Sequence, residues 1–400
     1  MIACPELVEG KDEAQRSIRT FYEAVIFERE DIMDTDTLNS GNGKLAGLSF
    51  EMGPIRPPSE GGSFSLLIRV TRNCPWSRCT FCYGKPYDHE KFQMRSVDDV
   101  KADIDTAGLI SDEIKKVSWE LGCAGDINNL VGTTLIGKMP QLGNSHSFVS
   151  VFNWLLSGAR TAFLQDADTP VIPTPRLVEI IRYLKEKFPT LERVTSYARA
   201  KTIFKKKEED LKELCNAGLS RLHLGLESGD DELLRKVNKG VTGEEHIVAG
   251  RKVIEAGIVL SEYIMPGLGG KAMSRQHAEN TAKVLNAINP GFIRSRVFTP
   301  FPGTPIFDDY MNNKLELLSP HERLKEIKIL VAGLDVTSRI CFDHFRNPAY
   351  SSATGQLVHI FKQDYNGYKL PEEKEFLLEL IEKGLKISED KFLIFDNDMI

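Results

Sequence analysis

The run Asn73-Cys74-Pro75-Trp76-Ser77-Arg78-Cys79-Thr80-Phe81-Cys82-Tyr83 puts three thiols in a Cys-x4-Cys-x2-Cys spacing. Thiolates are soft ligands, suited to zinc or to iron–sulfur clusters. The chain has seven cysteines, an odd number, and the close spacing of three of them reads as metal or redox chemistry rather than a disulfide framework. Three chemistries are open to such a cluster. A structural zinc site needs a fourth close ligand, for which His89 is the nearest candidate. The spacing is also that of plant-type [2Fe-2S] ferredoxins, whose fourth ligand would be Cys123 or Cys215. A [4Fe-4S] cluster with three protein ligands leaves one iron open to a substrate or cofactor. The remaining thiols, Cys4, Cys123, Cys215 and Cys341, read most simply as isolated buried side chains.

These cysteines follow a short β-branched run, and from about residue 61 such runs alternate with helical patterns, the signature of βα units and a parallel sheet. Six strands are expected: Ser65 to Val70, Thr161 to Leu164, Arg193 to Tyr197, Arg221 to Gly225, Ile258 to Ile264 and Phe292 to Phe298. Helix signals lie between them. Thr174 is expected to cap a helix with Pro175 in its first turn and an apolar stripe of Leu177, Ile180, Ile181, Leu184 and Phe188. Ser96 with Asp99, and Thr242 with Glu245, make capping signals, and Gly257 suits a left-handed helix end. Ala278, Ala282, Leu285 and Ile288 mark the buried face of the helix before the sixth strand. Lys205-Lys206-Lys207, followed by Glu208-Glu209-Asp210, reads as a solvated helix start. The fold class expected is α/β, a partial (βα)6 TIM-like barrel. Residues 1–60 form an N-terminal extension, 61–307 the core and 308–400 a mainly helical C-terminal cap.

In such architectures the loops at the C-terminal ends of the strands gather function. The chain resembles the radical S-adenosylmethionine (SAM) superfamily over roughly residues 54–307. In that family a three-cysteine loop after the first strand of a partial (βα)6 barrel holds a [4Fe-4S] cluster. The usual spacing is Cys-x3-Cys-x2-Cys with an aromatic before the last cysteine; Phe81 matches that aromatic, and one extra residue lies between Cys74 and Cys79. Further elements resemble the branch of oxygen-independent coproporphyrinogen oxidase, the elongator catalytic subunit and the tRNA methylthiotransferases. Gln165-Asp166-Ala167-Asp168-Thr169-Pro170 lies where the family receives the SAM amino group, implying roles for Asp166 and Asp168. Ser196 and Tyr197 lie where the family reaches the ribose, and Gly225-Leu226-Glu227-Ser228-Gly229 resembles an element that brings Glu227 near the cofactor. Asn238-Lys239-Gly240 resembles the family's Asn-Arg turn, with Lys239 keeping the charge that meets the SAM carboxylate but losing the guanidinium fork. Pro266-Gly267-Leu268-Gly269-Gly270 and Pro302-Gly303-Thr304-Pro305 resemble the turns after the fifth and sixth strands.

The resemblance implies that Cys74, Cys79 and Cys82 are the metal ligands and that Phe81, Asp166, Asp168, Ser196, Glu227, Lys239 and Gly267 surround the cofactor. It implies reductive cleavage of SAM to a 5′-deoxyadenosyl radical that abstracts hydrogen from a small or lipid-like metabolite, with flavodoxin or ferredoxin as electron donor. Two alternatives stand beside it: a tetrapyrrole oxidation like that of the coproporphyrinogen enzyme, and an iron–sulfur electron carrier that does not cleave SAM.

Composition sets the outer limits. With 41% hydrophobic and 27% charged residues, the 400-residue chain is ordinary globular sequence and not a disordered one. A net charge of −6 with mixed signs gives the electrostatic term of nucleic-acid binding no source, so a small-molecule substrate is expected. No stretch reaches the roughly 18 apolar residues of a membrane span. The start Met1-Ile2-Ala3-Cys4-Pro5 lacks a secretory pattern, which gives a cytoplasmic expectation. Arg294 and Arg296 alternate on the sixth strand and so share a face, from which they could bind a substrate carboxylate. Asp343-His344-Phe345-Arg346-Asn347 offers further polar groups, either to orient a substrate or as a surface loop.

Overall fold

The computed structural model describes residues 43–54, 65–82, 90–352 and 354–393. At its centre is one eight-stranded sheet: β1 (Ser65–Arg69), β2 (Thr161–Gln165), β3 (Arg193–Ala198), β4 (Leu219–Glu227), β5 (Val259–Ile264), β6 (Phe292–Ser295), β7 (Arg339–Cys341) and β8 (Tyr368–Lys369). Spatial order equals chain order. The strands β1 to β7 are parallel and β8 closes the series antiparallel to β7. All six expected strands are present, and the sheet continues past them.

Side-chain alternation divides the sheet into two faces. Leu66, Ile68, Ala162, Leu164, Leu222, Leu224, Leu260 and Ile293 join the helices in one large apolar core. On the other face Leu67, Phe163, Thr195, His223, Ser261 and Arg294 are fully buried. Phe163, Tyr197, His223 and Tyr263, from four adjacent strands, touch ring to ring with centroids 5.2 to 6.3 Å apart. Helices on the outside and a filled interior make this a partial TIM-like barrel.

Local signals explain most helix ends. The Ser96 side chain accepts from the Asp99 N–H at the start of helix Val97–Glu120. Thr242 and Glu245 form a reciprocal capping box at helix Gly243–Glu255, and Gly257 beyond its end has φ +82°. Thr174 differs from expectation: Pro173 holds the cap position of helix Thr174–Lys187, and the Thr174 hydroxyl instead accepts from Lys206 Nζ at 2.9 Å.

Beyond residue 307 the helices Pro320–Gly333 and Lys374–Leu385 are joined by strands that the sequence did not reveal. They are β7 and β8, and the antiparallel pair Ala349–Ser351 and Leu357–His359. Of the N-terminal extension, 43–54 packs on the core: Gly53 N–H donates to Gln165 Oε1, and Glu51 bridges Arg69, Arg72 and Arg95. Hydrogen bonds from Arg72 help hold the Glu51 carboxyl down at about 2. Residues 1–42, most of the Gly- and Pro-rich stretch, and His89 lie outside the described residues.

Candidate active site

The residues that follow β1 to β7 enclose a cavity of about 240 Å³. Cys74, Cys79, Phe81 and Cys82 form its wall after β1, and Ala167 follows β2. Tyr197, Ala198 and Arg199 come from the end of β3, Gly225 and Glu227 from the end of β4, and Lys239 from the turn beyond. Tyr263 and Met265 follow from β5, then Arg296 to Thr299 and Phe301 after β6, and Arg346 after β7.

The cysteine loop is held by contacts with the turn at residues 237–240. The Trp76 indole N–H donates to the Asn238 carbonyl at 2.8 Å, and the Asn238 side chain donates back to the Arg78 carbonyl. Thr80 N–H donates to the Val237 carbonyl. Gly240 has φ +73°, and a Cβ there would lie 2.6 Å from the Trp76 ring, so only glycine admits this close approach. The Arg199 guanidinium covers the same ring at 5.1 Å and donates to the Lys239 carbonyl at 3.1 Å.

Beneath the loop, Asp166 accepts from Arg69 at 3.1 Å and from the Asn73 N–H at 3.3 Å. Arg69 also pairs with Glu51 and Glu90. Asp166 is fully buried and supports the loop from behind rather than lining the cavity. Asp168 is likewise buried, accepting from Arg199 N–H at 3.0 Å and from the Thr202 hydroxyl, and burial pushes its carboxyl up to about 6. Ser196 is outside the lining, fully buried on the face of β3 opposite Tyr197. Gly267 is also outside, its N–H donating to Glu326 Oε1 at 2.6 Å. The structure therefore gathers Cys74, Cys79, Cys82, Phe81, Glu227 and Lys239 at one cavity and places Asp166, Asp168, Ser196 and Gly267 behind its walls.

Charge is organised around the thiols. Glu227 stands at φ +60° at the end of β4 and accepts from Lys239 Nζ at 2.9 Å; Nζ also lies 5.7 Å from the centre of the Phe81 ring. Burial works against the Lys239 charge, but Glu227 and Cys79 more than offset it, and its pKa is raised. Burial raises the Cys79 thiol. Cys82 is exposed at the rim, yet enough protein surrounds its sulfur to push it up to about 12, with Cys79 and Cys74 adding to the shift. Cys74, Cys79 and Cys82 all line the one cavity. Among the described residues no three His, Cys, Asp or Glu side chains are arranged to hold a single metal ion.

A buried polar network ties two of the lining loops to the C-terminal segment. His277, on helix Gly270–Ile288, has Nδ1 2.8 Å from Ser228 Oγ and Nε2 3.2 Å from the Met265 carbonyl. Glu326, on helix Pro320–Gly333, lies 3.7 Å from His277 Nε2 and accepts from Gly267 N–H and the Ser274 hydroxyl. Ser228 adjoins Glu227, and Met265 itself lines the cavity.

Arg199, Tyr263, Met265, Phe298 and Phe301 join the lining without a motif to mark them. Their shared signal is position, at or just past a strand's C-terminal end. Of the arginine pair on the sixth strand, Arg296 reaches the cavity, whereas Arg294 sits one layer deeper and donates to Asp343 at 2.6 Å. Asn347 accepts from the Ser295 hydroxyl at 3.0 Å and donates to its carbonyl, so the 343–347 segment docks on the sheet and delivers Arg346 to the cavity.

The sequence profile described as the Radical SAM superfamily matches residues 155–283. The chain is 23% identical over 277 residues to 4'-phospho-dehydrooxetanocin synthase of Priestia megaterium, covering 67% of this chain and 32% of the relative. It is 24% identical over 254 residues to tRNA-2-methylthio-N(6)-dimethylallyladenosine synthase of Chromobacterium violaceum, covering 62% and 46%. The chain thus spans less than half the length of these curated relatives. Among solved structures, Elp3 of Methanocaldococcus infernus aligns with a TM-score of 0.41 at 15% identity, over 64% of this chain and 59% of that one. Methylornithine synthase (PylB) aligns with a TM-score of 0.40 at 15% identity, over 71% and 67%. No helix among the described residues is long and apolar enough to cross a membrane.

Proposed function

We propose, from the profile match over residues 155–283, that the chain is a radical SAM enzyme that cleaves SAM reductively to abstract hydrogen from a small organic substrate. The observation that carries this reading is the convergence of Cys74, Cys79 and Cys82 with Phe81, Glu227 and Lys239 on one cavity at the C-terminal ends of the strands. Enzymes of this superfamily use a [4Fe-4S] cluster and SAM. The donor set fits in kind: Cys74, Cys79 and Cys82 line the same cavity, and thiolates are the ligands that hold iron–sulfur clusters.

A bound cluster supplies the electron that breaks a carbon–sulfur bond of SAM, from which 5′-deoxyadenosine follows after hydrogen transfer. The chain's own residues supply the rest. Cys74, Cys79 and Cys82 act as thiolates, and their protons leave on metal binding. Glu227 and Lys239 present opposite charges side by side, which matches the ammonium and carboxylate of an amino-acid zwitterion. Tyr197, Tyr263, Met265 and Phe298 line the remainder with rings and a thioether, holding an apolar body and excluding water. Flavodoxin or ferredoxin is the proposed electron donor.

The test is anaerobic reconstitution with iron and sulfide, addition of SAM and dithionite, and measurement of 5′-deoxyadenosine, with Cys79→Ala as control. Product in the wild type and none in the variant supports the proposal. A loaded wild-type cluster whose electron paramagnetic resonance spectrum ignores SAM, with no product, replaces it with the electron-carrier reading.

A further inference from the structure

The cavity has a second cationic region that the cysteine side does not use. Lys239 is bonded to Glu227, and Arg199 is stacked on Trp76, so both belong to the wall after β1 to β4. Arg296 and Arg346 reach the same cavity from beyond β6 and β7, across the sheet order from the cysteines. Arg346 is buried, and its guanidinium lies over the Phe301 ring at 4.8 Å. His344, two residues away, is held neutral: burial and the charges of Arg296 and Arg346 push it down to about 3. Three groups that could all be cationic are thus reduced to two permanent charges and a neutral ring. Neither arginine is an isolated charge; what carries the inference is where they stand. Both line the cavity, one from beyond β6 and the other from beyond β7, strands that pair side by side.

Resting on the radical SAM reading, we infer that the substrate is an amphiphilic small molecule whose oxyanion, a carboxylate or a phosphate, is received by Arg296 and Arg346. Its apolar part lies against Tyr197, Tyr263 and Phe298, which line the same cavity. A guanidinium matches either oxyanion with two parallel N–H donors, and two of them at one spot fix orientation as well as charge. The Phe301 ring beneath Arg346 holds its plane.

The probes are inorganic phosphate and octanoate, each titrated against the full-length, anaerobically reconstituted chain at constant ionic strength, with thermal unfolding as readout. The variants are Arg296→Gln and Arg346→Gln, with Arg346→Lys keeping the charge but losing the fork. Melting without ligand is recorded first, so that a folding defect is seen separately. Saturable stabilisation of the wild type by one probe, weakened tenfold or more in both Gln variants and less in the Lys variant, supports the inference. The effective probe distinguishes a phosphate ester from a carboxylic acid. Stabilisation must also persist when SAM saturates the protein. No response in the wild type, equal responses in the variants, or displacement of SAM by the probe overturns it, the last by assigning the arginines to SAM. None of these readouts depends on SAM cleavage, so failure of the anion site and failure to form 5′-deoxyadenosine are separate results.

Discussion

Glu326 links the C-terminal segment to the cavity, and its removal should be felt in both stability and SAM binding. In Glu326→Ala the Gly267 N–H, buried and 2.6 Å from the carboxylate, loses its acceptor. The Ser274 hydroxyl loses one too but is only part-buried and can turn to water. An orphaned buried donor costs about 1–3 kcal/mol. Deleting the side-chain carbons enlarges a small void of about 10 Å³ bordered by Ile264, Ile327 and Leu330, adding about 1 kcal/mol. A total of about 2–4 kcal/mol follows for Ala. Glu326→Gln retains an oxygen for Gly267 and should cost under about 1 kcal/mol. Anaerobic urea unfolding of the full-length chain, read as a midpoint change at constant slope, measures both. Because His277 bridges Ser228 and Met265 beside Glu326, the Ala variant should also raise the KM for SAM several-fold while binding the same iron per chain. An Ala cost no larger than that of Gln, or an unchanged KM, would refute the idea that this carboxylate sets the two loops.

Four further outcomes are expected. Cys79→Ala should lower bound iron sharply and abolish 5′-deoxyadenosine, read by iron assay and chromatography. Gly240→Ala forces a side chain onto positive φ and into the Trp76 ring; it should cost about 1–3 kcal/mol in unfolding experiments and slow cluster reconstitution by displacing the cysteine loop. Raised Cys79 and Cys82 thiols mean that metal competes with protons, so reconstitution should become tighter as pH rises from 6.5 to about 8.5, as an iron-chelator competition would show. Asp168, with its carboxyl up at about 6 against 3.8 unfolded, holds its proton more strongly when folded. Its contribution therefore favours the folded state progressively as pH falls from about 6 to about 4, and wild type should gain stability relative to Asp168→Asn over that window.

Much of this architecture is readable in the sequence because its parallel strands are buried on both faces and its helices carry explicit caps. Ser96, Thr242 and Gly257 act as their residue types dictate. Strands β7 and β8, of three and two residues, are too short to show alternation and exist because an edge was there to pair with. Within the site, the cysteines were legible from their spacing, and Phe81, Glu227 and Lys239 through the family resemblance. Ser196 was not separable from Tyr197 because a strand's face is decided by register, which a single sequence does not print. Asp166, Asp168 and Gly267 sit at strand ends as active-site groups do, but their hydrogen-bonding capacity is taken up by Asn73, Arg199 and Glu326. Arg199 and Met265 lack a motif and are found only once the strand ends are located.

The layer of Phe163, Tyr197, His223 and Tyr263, with Leu67 and Ser261 packed around it, makes the cavity a cul-de-sac. Two reactants that enter a blind chamber share its doorway, and whichever lies deeper leaves only after the other has gone. On the reaction proposed above, turnover would then have a compulsory sequence, with an excess of the outer reactant slowing it by detaining the inner one. The rings that close the floor would thereby set the order of traffic without touching the bond that breaks.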